Sequence, residues 1–110
     1  MIRTELKRGT AELAILSVLE QGPLHGYEIG RRIEEHSAGA LCYTLAALYP
    51  LLYRMEHRGW LHASWMIGDN GKRRRCYRLT TRGKKMLKPM RAEWRDLFRA
   101  LRRVARVSHA

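Results

Sequence analysis

The chain has 110 residues, 45% of them hydrophobic, enough for one domain with a buried core and too few for a second. Twenty-two Lys and Arg against ten Asp and Glu leave a formal net charge of +12, well beyond what solubility needs, and point to a polyanionic partner. No apolar run approaches the ~20 residues of a spanning helix. The opening MIRTELKRGT has no secretory apolar region. Cys42 and Cys76 are too few and too far apart for a metal knuckle. The expectation is a cytoplasmic protein with reduced thiols, no metal site, no cofactor and no membrane partner.

In chain order, Thr10 is placed to cap a first helix with apolar Leu13, Ile15, Leu16, Val18 and Leu19, which Gly22 and Pro23 stop. A second helix runs from about His25 to His36, presents Ile29 and Ile33, and carries Gly26 and Gly30 one turn apart so that a neighbour can pack closely. A short extended piece, Ala40 to Tyr43, leads to Thr44, which caps a third helix reaching about Arg58, with Gly59 beyond its end.

Two runs of β type follow, LHASWMI (Leu61 to Ile67) and RRRCYRLT (Arg73 to Thr80), joined by Gly68, Asp69, Asn70 and Gly71. Asn-Gly is the strongest short-range hairpin signal, and alternation puts Leu61, Ala63, Trp65 and Ile67 on one face. From Thr81 onward the chain is helical. Leu87, Met90, Trp94, Leu97, Leu101 and Val104 recur at alternating spacings of 3 and 4, the seam of a helix that pairs with another helix; Pro89 is expected to kink or split it near Lys88. The fold class expected is mainly α with a β-hairpin. It comprises a winged helix-turn-helix domain over residues 1–80 and a long C-terminal dimerisation helix over residues 81–110.

The third helix is the informative one. On a wheel, Leu45, Leu48, Leu51, Leu52 and Met55 collect on a core arc, while Ala46, Ala47, Pro50, Tyr53, Arg54 and His57 lie opposite and Tyr49 sits on the border. The narrow first turns of that outer arc suit entry into a major groove, N-terminus first. The Tyr49 hydroxyl is then a phosphate donor, Tyr53 reaches backbone or base, and Arg54 offers a fork to guanine or phosphate. Either tyrosine could equally pack on the hairpin or the terminal helix. Lys72, Arg73, Arg74 and Arg75 follow directly on the turn and suit a minor groove or its phosphates, although a charge run by itself is more often a solvated face. His25 stands at a helix start beside these positions.

The histidines and cysteines form no metal-like or nucleophilic set and carboxylates are few, so an enzyme is not expected. Two further classes use the same charge: a non-specific nucleic-acid binder, chromosomal or RNA-directed, and a basic helix lying on a membrane. The segment from Arg82 to Arg106 holds ten Lys or Arg against Glu93 and Asp96, a face that either keeps a dimer soluble or touches phosphates flanking a bound site.

Three stretches, RGTAELAILSVLEQGPLHGYEI (Arg8 to Ile29), LYPLLYRMEHRGW (Leu48 to Trp60) and NGKRRRCYRLTTRG (Asn70 to Gly83), together resemble the PadR-like family of bacterial transcriptional regulators, in its small subfamily with a single terminal helix. The resemblance implies a homodimeric repressor that binds a double-stranded DNA operator and is released by a small molecule. It places Tyr27, Tyr49 and the wing cations around DNA. It also makes Trp94 the aromatic position of a cavity for flat aromatic compounds, although a seam tryptophan is more often interface core. The chain departs from the family at Ala46 and Ala47, where Gly then Ser or Thr is usual, at Tyr53, commonly His, and at Pro89. The DNA-binding set expected is therefore His25, Tyr27, Thr44, Tyr49, Tyr53, Arg54 and Lys72 through Arg75. Two such heads in successive major grooves would lie roughly 34 Å apart.

Overall fold

The computed structural model describes residues 4–106, with side chains from residue 9 onward; residues 1–3 and 107–110 of the expected domain limits lie outside the described residues. Helix α1, Thr4–Val18, begins well ahead of Thr10, so the expected cap lies inside the helix. There the Thr10 hydroxyl pairs with the Tyr43 hydroxyl at 3.0 Å. The helix tolerates Gly9 because the Trp94 indole lies across it, with Cζ2 3.2 Å from where a Cβ would stand. Ala11, Ile15, Leu16 and Val18 are buried, and a 3-10 turn, Leu19–Gln21, closes on Gly22.

Pro23 is followed by a two-residue strand, β1 (Leu24–His25), and then by helix α2 (Gly26–His36). The His25 side chain caps α2: its Nδ1 accepts the Glu28 N–H at 3.4 Å while the His25 N–H donates to Glu28 Oε1 at 3.3 Å, a reciprocal capping box. Helix α3, Leu45–His57, is capped by Thr44, whose hydroxyl accepts the Ala47 N–H at 3.2 Å. Gly30 lets α3 come close, since a Cβ there would meet Leu48 Cδ1 at 3.1 Å.

Leu48, Leu51, Leu52 and Met55 are buried as expected, but Leu45 is 40% exposed and leaves the core arc. As the first helical residue it projects past the edge of α2 into a shallow depression shared with Tyr27, Gly30, Arg31 and Tyr43. Pro50 is exposed, as is Ala46, whose carbonyl the missing N–H leaves without a helical donor, so water can serve it.

Strands β2 (Leu61–Ile67) and β3 (Arg73–Leu79) pair antiparallel from Leu61↔Leu79 to Ile67↔Arg73. The turn is held by the Gly68 N–H to the Lys72 carbonyl at 2.8 Å and the Lys72 N–H to Asn70 Oδ1 at 3.0 Å, with Gly71 at φ 77°. The expected two-stranded hairpin gains an edge: β1 pairs antiparallel with β3, Leu24 opposite Tyr77 and His25 opposite Cys76, giving the order β1-β3-β2. Alternation holds, but only its base is core. Leu61, Tyr77 and Leu79 are buried, whereas Trp65 and Ile67, farther out on the same face, are exposed.

Helix α4, Thr81–Ala105, runs unbroken through Pro89, so of the expected kink or split the split does not occur. Pro89 lies on the water-facing side and so does Lys85, the residue whose carbonyl would have paired with its N–H, so solvent replaces the lost bond. Thr80 roots the helix: its hydroxyl accepts the Gly83 N–H at 3.0 Å and donates to the Gly59 carbonyl at 2.5 Å. Leu87, expected in the seam, is 3% exposed and belongs to the chain's own core, with Met90 packed against that core. Ile15, Leu16, Ile29, Leu48, Leu52 and Met55 are its fully buried centre. At about 1.5 Å per residue α4 is some 37 Å long, which accounts for the extents of 52 × 27 × 23 Å. Among the described residues no helix is long and apolar enough to cross a membrane.

Candidate nucleic-acid interface

Three elements converge on one groove of about 620 Å³, lined by His25, Gly26 and Tyr27 from the start of α2, Tyr49 from α3, and Trp65, Arg73, Arg74, Arg75 and Tyr77 from the hairpin. Tyr49 reaches it because Gly26 has no side chain: a Cβ there would stand 2.9 Å from both Cε1 and the hydroxyl oxygen of Tyr49. The ring is thus seated on the first turn of α2 and its polar tip faces the groove. Next to it Tyr27 is exposed, 6.4 Å from the His25 ring centroid, with the Arg31 guanidinium 5.9 Å from its own centroid.

The three wing arginines each make a side-chain contact within the head. The Arg74 guanidinium lies 2.7 Å from Nε2 of His25, which sets β3 beside the cap of α2. Arg73 lies over the Trp65 ring at 4.8 Å and Arg75 over the same ring at 5.4 Å, so the indole is flanked by two guanidinium groups. Arg75 is also held by Glu56 of α3 at 3.1 and 3.4 Å. Its charge is therefore matched from inside the head, which leaves Lys72, Arg73 and Arg74 as the cations the wing presents. Tyr77 forms the floor: burial pushes its hydroxyl above the ordinary tyrosine range, and the Arg75 guanidinium partly offsets that rise.

The remaining expected residues continue the surface along α3. Thr44 is at its cap, and Tyr53 and Arg54 are exposed one turn beyond Tyr49, with the His57 ring set edge-on to Tyr53 at 4.3 Å. The sequence did not single out Trp65 or Glu56 as site residues. Alternation placed Trp65 on the inner face, which was the available signal; nothing in the spacing pairs Glu56 with a strand residue.

The Trp94 site is separate. Its indole rests on Gly9 of α1 and meets the Phe98 ring at 5.4 Å. Beyond it an apolar stripe of Leu97, Phe98, Leu101 and Val104 stays exposed, from 43% at Leu97 to 84% at Val104. Phe98 was absent from the expected seam, which counted one residue at each 3–4 step.

A family model described as "Transcriptional regulator PadR-like family" matches residues 15–89, which hold the capped α2, the whole of α3 and the wing. The chain belongs to the PadR-like family of transcriptional regulators. Solved structures of other regulators share the architecture. A transcriptional regulator from Clostridium thermocellum is 27% identical with a TM-score of 0.82, over 94% of this chain and 97% of that one. A PadR family transcriptional regulator from Eggerthella lenta is 31% identical with a TM-score of 0.79, over 94% and 88%. Bacillus subtilis PadR, solved in complex with operator DNA, is 27% identical with a TM-score of 0.65, over 71% of this chain and 44% of that longer one.

Proposed function

We propose that this PadR-like regulator is a homodimeric, sequence-specific DNA-binding repressor released by a small planar aromatic effector. The observation that carries the DNA reading is the groove: Tyr49 seated on Gly26, faced by Arg73 and Arg74. It lies between α3 and the wing, with lining residues from the start of α2. Tyr27, the Tyr49 hydroxyl and the wing arginines donate to phosphates along it, while the outer face of α3, from Thr44 through Tyr53 and Arg54, reads bases. The B. subtilis PadR solved in complex with operator DNA supports a DNA partner. The exposed stripe from Leu97 to Val104, continuous with Trp94, supports pairing with a second copy.

Selecting duplex fragments with the purified protein and then titrating the winner tests the reading. Tyr49→Phe removes one hydrogen bond to a charged acceptor and is expected to weaken binding by roughly tenfold, about 1.5 kcal/mol. Gly26→Ala should do the same by lifting the ring from its seat, with thermal stability nearly unchanged because an exposed tyrosine can swing outward. Arg74→Ala should weaken binding and reduce its salt dependence by ~1 phosphate. Unaltered affinity in all three would show that the groove does not face DNA.

The effector reading rests on Trp94, Phe98 and the family resemblance. Planar aromatics are expected to quench tryptophan fluorescence, and Trp94→Ala, which leaves Trp60 and Trp65, should abolish the quenching. An effector releases DNA only if it prefers the splayed dimer, so ligands that quench must also lower operator affinity. Quenching that persists in the variant would move the site elsewhere.

A further inference from the structure

We infer that α4 carries a second duplex-binding surface, a cationic ladder that holds a stretch of DNA other than the one read by the head. The inference rests on the DNA-binding reading above and concerns residues which that reading leaves without a role. Helix α4 contains nine Lys or Arg against Glu93 and Asp96, an excess of seven in a chain whose net charge is +12. Most of the surplus charge that points to a polyanion is therefore not at the groove.

Its arrangement is specific. At ~100° per residue, Lys84, Lys88, Arg91, Arg95, Arg99 and Arg102 fall within an arc of about 80°. They form one ladder some 27 Å long. Arg91 is tied to Glu20 at 2.5 Å and to Ser17 at 3.3 Å. Among the described residues the other five have no carboxylate partner, since the remaining ion pairs involve His25, Arg31, Arg58 and Arg75.

Like charges at i, i+4 repel and weaken a helix, and a face built only for solubility interleaves both signs. This face keeps Lys84–Lys88, Arg91–Arg95 and Arg95–Arg99 in succession, so a polyanion is what relieves it. Neighbours three or four apart on a helix stand about 5–6 Å from one another, a pitch that can follow the phosphates of a backbone, and arginine forks suit phosphate oxygens.

Two observations choose duplex over a membrane surface and place it apart from the operator contact. The apolar side that would have to enter a lipid interface is committed in its first half within the chain, with Leu87 and Met90 at the core and Trp94 on α1, and its exposed second half, Leu97 to Val104, is the seam assigned above to a second copy. In addition, α4 is rooted at Gly59 and Trp60, beyond the C-terminal end of α3 and at the base of the hairpin. That root is ~20 Å of helix away from the Thr44 cap that leads the docking.

The test uses the full chain and its variant with Arg95→Gln, Arg99→Gln and Arg102→Gln, chosen because glutamine keeps helix propensity and none of the three lines the groove. Operator duplex on beads is loaded with protein, and capture of a second, fluorescent random-sequence duplex is measured. The wild type is expected to capture it and the variant to lose capture at least tenfold, while both bind a minimal operator with the same affinity. For the random duplex, the slope of log affinity against log salt should fall by roughly 2–3 units per protomer. Equal capture by the two proteins, no capture by the wild type, or retention of anionic phospholipid vesicles in place of duplex would each overturn the inference. Loss of binding to every duplex by both proteins would instead reject the DNA reading on which it rests.

Discussion

Gly83→Ala is expected to lower the thermal unfolding midpoint by roughly 5–20 °C, a destabilisation of about 1–3 kcal/mol from overpacking. In an ordinary helix interior the same change would stabilise by up to ~1 kcal/mol. The sign reverses because Gly83, in the first turn of α4, lies directly against the Trp60 carbonyl, and a Cβ would overlap that oxygen. The neighbour is backbone, so it has no rotamer to escape through. Nearby, the Thr80 N–H donates to the same Trp60 carbonyl at 3.1 Å, and the Thr80 hydroxyl donates to Gly59. Any shift of α4 that relieves the overlap therefore strains the joint between α3, β3 and α4. Differential scanning calorimetry at fixed protomer concentration measures it; an unchanged or higher midpoint would show that α4 can move freely on the head.

Leu97→Asp is expected to leave the head folded, abolish the dimer and weaken operator binding at least ~10²-fold, because linkage of two half-site contacts is lost. Leu97 is exposed in the protomer, so the substitution costs the isolated chain little. In a paired seam it would bury an unmatched carboxylate among Trp94, Phe98 and Leu101 of the stripe, a penalty no neighbouring cation on that face offsets. Sedimentation should show a monomer with unaltered circular dichroism. A dimer that survives would place the interface on another surface, and the binding-site spacing expected of two heads would have to be drawn again.

Much of this architecture was legible in the sequence because short-range chemistry decided it. Thr44 and the Asn70–Gly71 pair each specify a local hydrogen-bond pattern that tertiary packing leaves in place. The outer arc of α3 was legible for the same reason, since helical period alone separates Tyr53 and Arg54 from Leu48 and Leu52.

The misses came from contacts between distant segments. Strand β1 has two residues, too few for any period, and exists because Leu24 and His25 meet β3. The N-terminal extension of α1 past Thr10 includes Gly9, which lies beneath Trp94, far away along the chain. Pro89 failed to split α4 because the carbonyl it orphans faces water, which a linear pattern does not display. At the candidate site, Arg75 read as one of four equivalent cations until Glu56 of α3 was found against it. Leu87 read as seam by spacing, yet the chain's own core claims it.

The most direct measurement of the central claim is the ratio of two affinities, taken by fluorescence anisotropy at physiological salt, for the selected operator and for a duplex of the same composition with its bases scrambled. A head that reads sequence through α3 and the Tyr49 groove should favour the operator by ~10³ or more. Equal affinities for the two duplexes would contradict it and leave a protein that holds nucleic acid by charge alone.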